Sequence, residues 1–323
     1  MTADISQLDD RGRLRHLITL DGLGRGLLEE LLDRADRYVS AAGEAPRRGT
    51  DLSGWTVANL FAEPSTRTRA SFELAAARLG ADTINLDIAL SSRAKGESFL
   101  DTIWTLQAMQ VDAFVIRDAE AGLQASVARE VGPGVSVISA GEAHLSHPTQ
   151  GLLDALTIRQ SKGSFGSLAI AIVGDIGRSR VARSAHRALA TLGVPEIRIV
   201  GPRAMMPMAG EFAGAKRFDS LDEGLAGADV VMMLRIQLER AAGDAPTDLS
   251  RYRQEFGLTP ARLARASPRA IVMHPGPMNR GVEIDSSVAD GPQSVIRRQV
   301  ANGVAVRMAV LATIADARRM RAE

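Results

Sequence analysis

The stretch Thr56-Val57-Ala58-Asn59-Leu60-Phe61 is a short apolar and β-branched run, and Glu63-Pro64-Ser65-Thr66-Arg67-Thr68-Arg69 leads from it into a helical pattern. In that pattern Phe72, Ala75, Ala76 and Leu79 share one side. Strand, turn and amphipathic helix in this order form the repeat unit of a parallel sheet. The unit recurs along the chain. Further strand-like runs lie at 83–87, 113–117, 135–140, 168–175, 196–201, 230–236 and 270–274, and helix-length stretches at 97–109, 148–160 and 179–192. Eight strands can close a barrel or divide into two open sheets of about four strands each. The polar Gly/Ser-rich stretch QSKGSFGS at 160–167 separates two strand sets and favours two open-sheet α/β domains with helices on both faces. A last helix is expected over 297–318, where Val300, Val304, Met308 and Leu311 recur at helical spacing and form an apolar face to bury.

Composition narrows the chemistry. The 323 residues are 45% hydrophobic and 24% charged, values typical of globular proteins. Lys and Arg number 39 against 38 Asp and Glu, a formal charge of +1, which offers no electrostatic case for nucleic acid or an anionic membrane as partner. An aromatic content of 4% argues against base-stacking platforms. Uninterrupted apolar runs fall far short of the roughly 18–20 residues that span a bilayer, and the N-terminal stretch has no signal-like apolar region. A cytoplasmic location is expected. With no cysteine, disulfides, thiolate nucleophiles and Cys-ligated metals are excluded. The five histidines show no HExxH spacing, so neither metal nor cofactor is expected. Only three residues are lysines, at positions 95, 162 and 216, which draws notice to Lys95.

Ligands of open α/β sheets bind outside the carboxyl ends of the strands. After the first strand, the run Ser65 to Arg69 crowds hydroxyls and guanidiniums at a helix start, where backbone N–H groups and the helix dipole favour an anion such as phosphate. The loop Ser91-Ser92-Arg93-Ala94-Lys95-Gly96-Glu97 follows the second strand, and Arg117 ends the third. After the fourth, His147-Pro148-Thr149-Gln150 puts Pro148 at a first helical position and pairs His147 with Gln150, neutral donors and acceptors suited to a carbonyl and an amide. In the second half, Gly174 to Arg180 reads as strand, Gly turn and helix start without the G-x-G-x-x-G dinucleotide fingerprint. Arg235 and Gln237 fall on one face of the expected strand 230–236 and its continuation, by the period of two, and could grip a carboxylate. His274-Pro275-Gly276-Pro277 forms a stiff turn whose carbonyls can accept from an amide or ammonium. Each segment alone is also explained as a cap, a solvated edge or a structural turn.

Jointly, Ser65-Thr66-Arg67-Thr68-Arg69, Lys95-Gly96-Glu97, His147-Pro148-Thr149-Gln150, Gly174-Asp175, Leu234-Arg235-Ile236-Gln237 and His274-Pro275-Gly276-Pro277 resemble the carbamoyltransferase family from about His16 to Met308. Their order and spacing are nearest to the members that use aspartate as acceptor. The resemblance implies a carbamoyl phosphate domain at 1–150 plus 303–323, an aspartate domain at 151–302 and a last helix packing back on the first domain. It further implies a homotrimer with shared active sites, and leaves room for regulatory or dihydroorotase-like chains. By motif, Ser65, Thr66, Arg67 and Thr68 would hold the phosphate. Thr68, Arg117 and His147 would donate to the carbonyl oxygen, Gln150 would take the carbamoyl amide, and Gly276 and Pro277 would add backbone contacts. Ser91 and Lys95 would arrive from the neighbouring subunit; Lys95, Arg180, Arg235 and Gln237 would bind aspartate.

Ornithine-specific members typically carry a cysteine in the turn matching 274–277 and a different segment at 234–237; this chain has neither feature. Two departures stand out: Ala62 replaces a more usual Phe or Glu, and Gly177-Arg178 a more usual Lys-His, the latter bearing on the geometry around Arg180. Ornithine or an acylated ornithine as acceptor, a non-catalytic anion-binding paralogue and a nicotinamide-dependent dehydrogenase are the alternatives.

Overall fold

The computed structural model describes residues 6–41, 44–88, 98–236 and 248–322. The chain divides into two compact units, Met1–Leu152 with Ala301–Glu323, and Leu153–Val300. Each is built on a parallel sheet.

In the first unit, helix α1 (Arg25–Tyr38) precedes β1 (Thr56–Phe61), α2 (Thr66–Arg78), β2 (Asp82–Asp87), α3 (Phe99–Ala108), β3 (Ala113–Asp118), α4 (Leu123–Glu130) and β4 (Ser136–Glu142). The strand order is β2-β1-β3-β4. The strands β1 and β4 are almost wholly buried, while β2, at the opposite edge of the sheet from β4, mixes exposed and half-buried positions. Between the two inner and outer neighbours β1 and β2, Asn59 Nδ2 donates to Asn85 Oδ1 at 3.0 Å in matched register. The apolar core gathers Leu60, Ile103, Phe114, Ile116, Val127 and Val137.

Helix α5 (Pro148–Lys162) carries the unit boundary. The second unit then runs β5 (Ala169–Val173), α6 (Arg180–Thr191), β6 (Glu196–Val200), β7 (Lys216–Phe218), α7 (Leu221–Leu225), β8 (Val230–Met233), α8 (Leu249–Phe256), α9 (Pro260–Leu263), β9 (Ile271–Met273) and α10 (Ser286–Ala289). Its sheet has five strands in the order β7-β6-β5-β8-β9. The additional strand, β7, is three residues with an exposed or half-buried pattern at the sheet edge, so it lacks the apolar signature of the inner strands. The core here includes Val173, Val200, Met233, Tyr252, Phe256 and Ile284.

The final helix α11 (Ile296–Ala322) crosses the boundary back into the first unit, and the C-terminal helix packs there. Arg34 pairs with Asp316 at 2.5 Å, Arg318 with Asp112 at 2.6 Å, and the Arg307 guanidinium lies 4.9 Å from the Phe72 ring centroid. The expected single apolar face is replaced by something broader. Val300 is 52% exposed, whereas every residue from Ala305 to Ala315 is buried. An 18-residue window of this helix reaches a mean hydropathy of 1.4, sufficient for a bilayer by composition, yet 78% of it is buried inside the protein. Core packing accounts for its apolarity.

Two boundary corrections matter for the site. Strand β8 ends at Met233, so Arg235 lies beyond it and not on a strand face. The ladder has nowhere to continue. Leu234 N–H still donates to Val173 O at 2.8 Å, but β5 then turns at Gly174 with φ +132°, and on the other side β9 gives way to Pro275, which has no N–H to donate. The stretch 160–167 is likewise not all linker, because α5 continues through Lys162.

Candidate active site

Strand order locates a candidate region in each unit. In the first unit the chain passes from β1 outward to β2 and returns to β3 on the other side of β1. That reversal opens a crevice between the carboxyl ends of β1 and β3. Ser65 to Thr68 follow β1, and Arg117 ends β3, opposite Phe61 in register. Ser65 is the N-cap residue of α2, but its side chain makes no capping hydrogen bond. The hydroxyl is therefore not committed to the helix, and the simple capping explanation of this serine does not hold. Thr66 and Arg67 are exposed and Thr68 is buried. Arg69 belongs elsewhere: its guanidinium sits 5.3 Å from the Phe61 ring centroid and 3.9 Å from Asp87.

Arg117 is held from two directions. Its Nη1 donates to Ala140 O at 3.2 Å, and its Nε lies 3.2 Å from Glu63 Oε2. Glu63 is a residue that sequence reasoning missed, although it stands inside the same segment as Ser65. An acidic neighbour fixes the plane of the guanidinium, which sets where its remaining N–H donors point. His147 comes from the segment after β4, the neighbour of β3. Pro148 opens α5 as the spacing predicts, and His147 O accepts from Gln150 N at 2.9 Å and Gly151 N at 3.2 Å. Both His147 and Gln150 are buried. Just before them, Glu142 accepts from Gly122 N at 2.5 Å, and burial pushes its carboxyl above the ordinary carboxylate range. Ser65, Arg117 and His147 thus follow or end three adjacent strands. Ser91 and Lys95 lie outside the described residues.

The second unit repeats the logic. From β5 the chain runs outward through β6 and β7 and returns to β8 on the other side of β5. Arg180 begins α6 after β5, and Arg235 follows β8, so both flank the reversal. Ser179 caps α6, its hydroxyl accepting from Ala182 N at 3.1 Å. Arg180 is buried and Arg235 half-buried. The close packing of the turn requires glycine. A Cβ on Gly174 would lie 3.0 Å from both Leu234 Cβ and Leu234 O, and one on Gly177 would lie 3.0 Å from Met206 O. Gly177 N donates to Met205 O at 2.8 Å, so the departure at this position matches a chain segment whose backbone would have to give by a few tenths of an ångström to admit a side chain. Gln237 lies outside the described residues.

The 274–277 turn follows β9, the neighbour of β8. Gly276 has φ +64°, a region that favours glycine, and the Gly276-Pro277 peptide is cis. His274 and Glu283 are completely buried and hydrogen-bonded to each other at 3.2 Å. This partner, and Gln299, whose Oε1 accepts from His274 N at 3.0 Å, were not legible in the motif.

The chain matches the carbamoyl-P binding domain of aspartate/ornithine carbamoyltransferases over residues 15–160 and their Asp/Orn binding domain over residues 167–314. Among solved structures it resembles aspartate transcarbamoylase from Trypanosoma cruzi in complex with carbamoyl phosphate, at 30% identity over 93% of this chain and 95% of that one, with a TM-score of 0.83. The same enzyme in complex with N-(phosphonacetyl)-L-aspartic acid matches at 30% identity, 93% and 95% coverage and a TM-score of 0.82. Ornithine carbamoyltransferase from Thermus thermophilus is similar at 28% identity over 93% of this chain and 98% of that one, with a TM-score of 0.80. Two successive domain matches that span most of the chain, on a pair of parallel sheets whose strand ends carry the expected segments, establish that the chain belongs to the aspartate/ornithine carbamoyltransferase family.

Proposed function

We propose that the chain transfers the carbamoyl group of carbamoyl phosphate to the amino group of L-aspartate, giving N-carbamoyl-L-aspartate and phosphate. The observation that carries the choice of acceptor is the pair of arginines, Arg180 and Arg235, on either side of the reversal between β5 and β8. Two guanidiniums suit a dicarboxylate and repel a diamine. The cysteine-free turn at 274–277 agrees.

In this reading Ser65, Thr66, Arg67 and Thr68 bind the phosphate. Attack of the neutral amine on the carbamoyl carbon forms the C–N bond and turns the carbonyl into an oxyanion, which Thr68, Arg117 and His147 stabilise, each donor contributing about 3 kcal/mol. Gln150, with backbone atoms of Gly276 and Pro277, orients the carbamoyl amide. The C–O bond then breaks, and phosphate leaves carrying the proton lost by the amine. Lys95 and Ser91 complete the site from a neighbouring copy in a homotrimer, and Arg180, Arg235, Gln237 and Lys95 hold aspartate. The reaction belongs to cytoplasmic pyrimidine synthesis.

The direct test is carbamoyl transfer to aspartate, ornithine and acylated ornithine in parallel. Aspartate should be the productive acceptor, and Arg235→Ala should cost about 2–5 kcal/mol in kcat/KM for it. Preference for ornithine, or an unchanged kcat/KM in the variant, would reject the assignment.

A further inference from the structure

The His274 ring is bonded through both nitrogens, and the two bonds fix its chemistry. Gly276 N–H donates to Nδ1 at 2.8 Å, so Nδ1 presents a lone pair; the ring proton resides on Nε2, which donates to Glu283 Oε1 at 3.2 Å. The same Oε1 accepts from Asn279 N at 2.5 Å, and Asn279 Nδ2 donates to Ile236 O at 3.4 Å. One buried imidazole and one buried carboxylate therefore tie three things together. They close the Gly276 turn at its positive φ, they orient Asn279, and through Asn279 they reach the residue directly after Arg235.

The arrangement is expensive as mere packing. Glu283 is completely buried, and its Oε2 has no hydrogen-bond partner among the described residues. Apolar residues of similar volume would fill such a place at no desolvation cost. What the polar pair provides and an apolar pair could not is a tautomer: a carboxylate that accepts from Nε2 keeps Nδ1 an acceptor for the turn amide. Gln299, which accepts from His274 N and donates to Asp154 Oδ1 at 2.7 Å, holds the backbone of the same residue.

We propose that His274, its tautomer set by Glu283, is a positioning residue for carbamoyl transfer: it orients the Gly276-Pro277 backbone and, through Asn279, the segment that carries Arg235. The inference rests on the function proposed above and adds a residue that touches neither substrate.

The test has two arms. In the intact wild-type protein, 15N NMR of labelled histidine should report His274 as the Nε2–H tautomer; an Nδ1–H tautomer overturns the proposal. Kinetics then compare two near-isosteres. His274→Gln retains a polar group at the Nε2 side and loses the Nδ1 acceptor, whereas His274→Asn places an oxygen where Nδ1 stood. His274→Gln should lose kcat by about tenfold or more, and His274→Asn should recover at least about threefold of that loss. Inhibition by inorganic phosphate should stay within about twofold of wild type in both variants, because its proposed ligands are Ser65 to Thr68. Equal impairment of the two variants, or a better Gln variant, overturns the inference. Should either variant fail to fold, the wild-type tautomer still decides. A wild-type protein that transfers no carbamoyl group to any acceptor would overturn the proposed function instead, which keeps the two failures distinct.

Discussion

Gly177 shows how a departure from the family pattern can be a packing requirement. Its amide is spent on Met205 O, and a Cβ would meet Met206 O at 3.0 Å and Met205 O at 3.3 Å. Backbone atoms cannot swing aside as a side chain could. Gly177→Lys, which restores the more usual residue, should therefore destabilise the protein by about 1–3 kcal/mol, read as a lower midpoint in urea with an unchanged slope. An unaltered midpoint would mean that the 203–206 segment yields freely. Arg117 teaches the complementary lesson. The sequence marks it as a strand-end arginine, but its anchoring by Glu63 joins two separate segments that only the pairing of β1 with β3 brings together. His274 is legible as part of a stiff turn; Glu283 is not, because nothing in its local spacing announces a partner across the turn.

At the level of elements, two serines before helices behave differently, and stability should tell them apart. Ser179 spends its hydroxyl on Ala182 N, while Ser65 makes no such bond. Ser179→Ala should cost about 1 kcal/mol of unfolding free energy, the ordinary value of a lost cap. Ser65→Ala should change it by less than about 0.5 kcal/mol, while weakening the binding of inorganic phosphate measured by calorimetry. A full cap-sized loss of stability at Ser65 would return it to the role of a structural residue. The inner strands were readable because burial on both faces makes them continuous apolar runs. Strand β7 was not, since Lys216-Arg217-Phe218 lies at the sheet edge with partly solvated side chains. The true end of β8 was also hidden, because Leu234 and Ile236 are as apolar and buried as the strand itself. What stops the strand is the loss of hydrogen-bonding partners on both neighbours, a property of the sheet and not of the run.

On the scale of the whole molecule, the first unit is assembled from both ends of the chain, and that has a consequence for acid stability. The segment around Leu17 lies along the free edge of β4, with Leu17 N donating to Val137 O at 2.9 Å and Ser139 N to Leu17 O at 2.8 Å. This covers an edge that would otherwise be open to other strands. His16 completes the attachment: its buried Nδ1 accepts from Val137 N at 3.0 Å. Burial first, then the guanidiniums of Arg15 and Arg321, push the imidazole from 6.5 down to about 3. An unfolded chain takes up this proton near 6.5, the folded one only near 3. Between those values the unfolded state binds more protons, so stability rises with pH and is lost as pH falls. From pH 7 to pH 5 this one residue should remove about 2 kcal/mol of unfolding free energy. Glu142, whose carboxyl is pushed up by burial, acts in the opposite sense, so the effect is isolated by comparison with a variant. His16→Asn keeps an acceptor for Val137 N–H and has nothing to titrate. Urea unfolding of both proteins at pH 7 and pH 5 should show the wild type losing about 2 kcal/mol more than the variant. Equal losses would mean that His16 can leave its buried position or take up a proton in place, and the acid sensitivity of the fold would have to arise elsewhere.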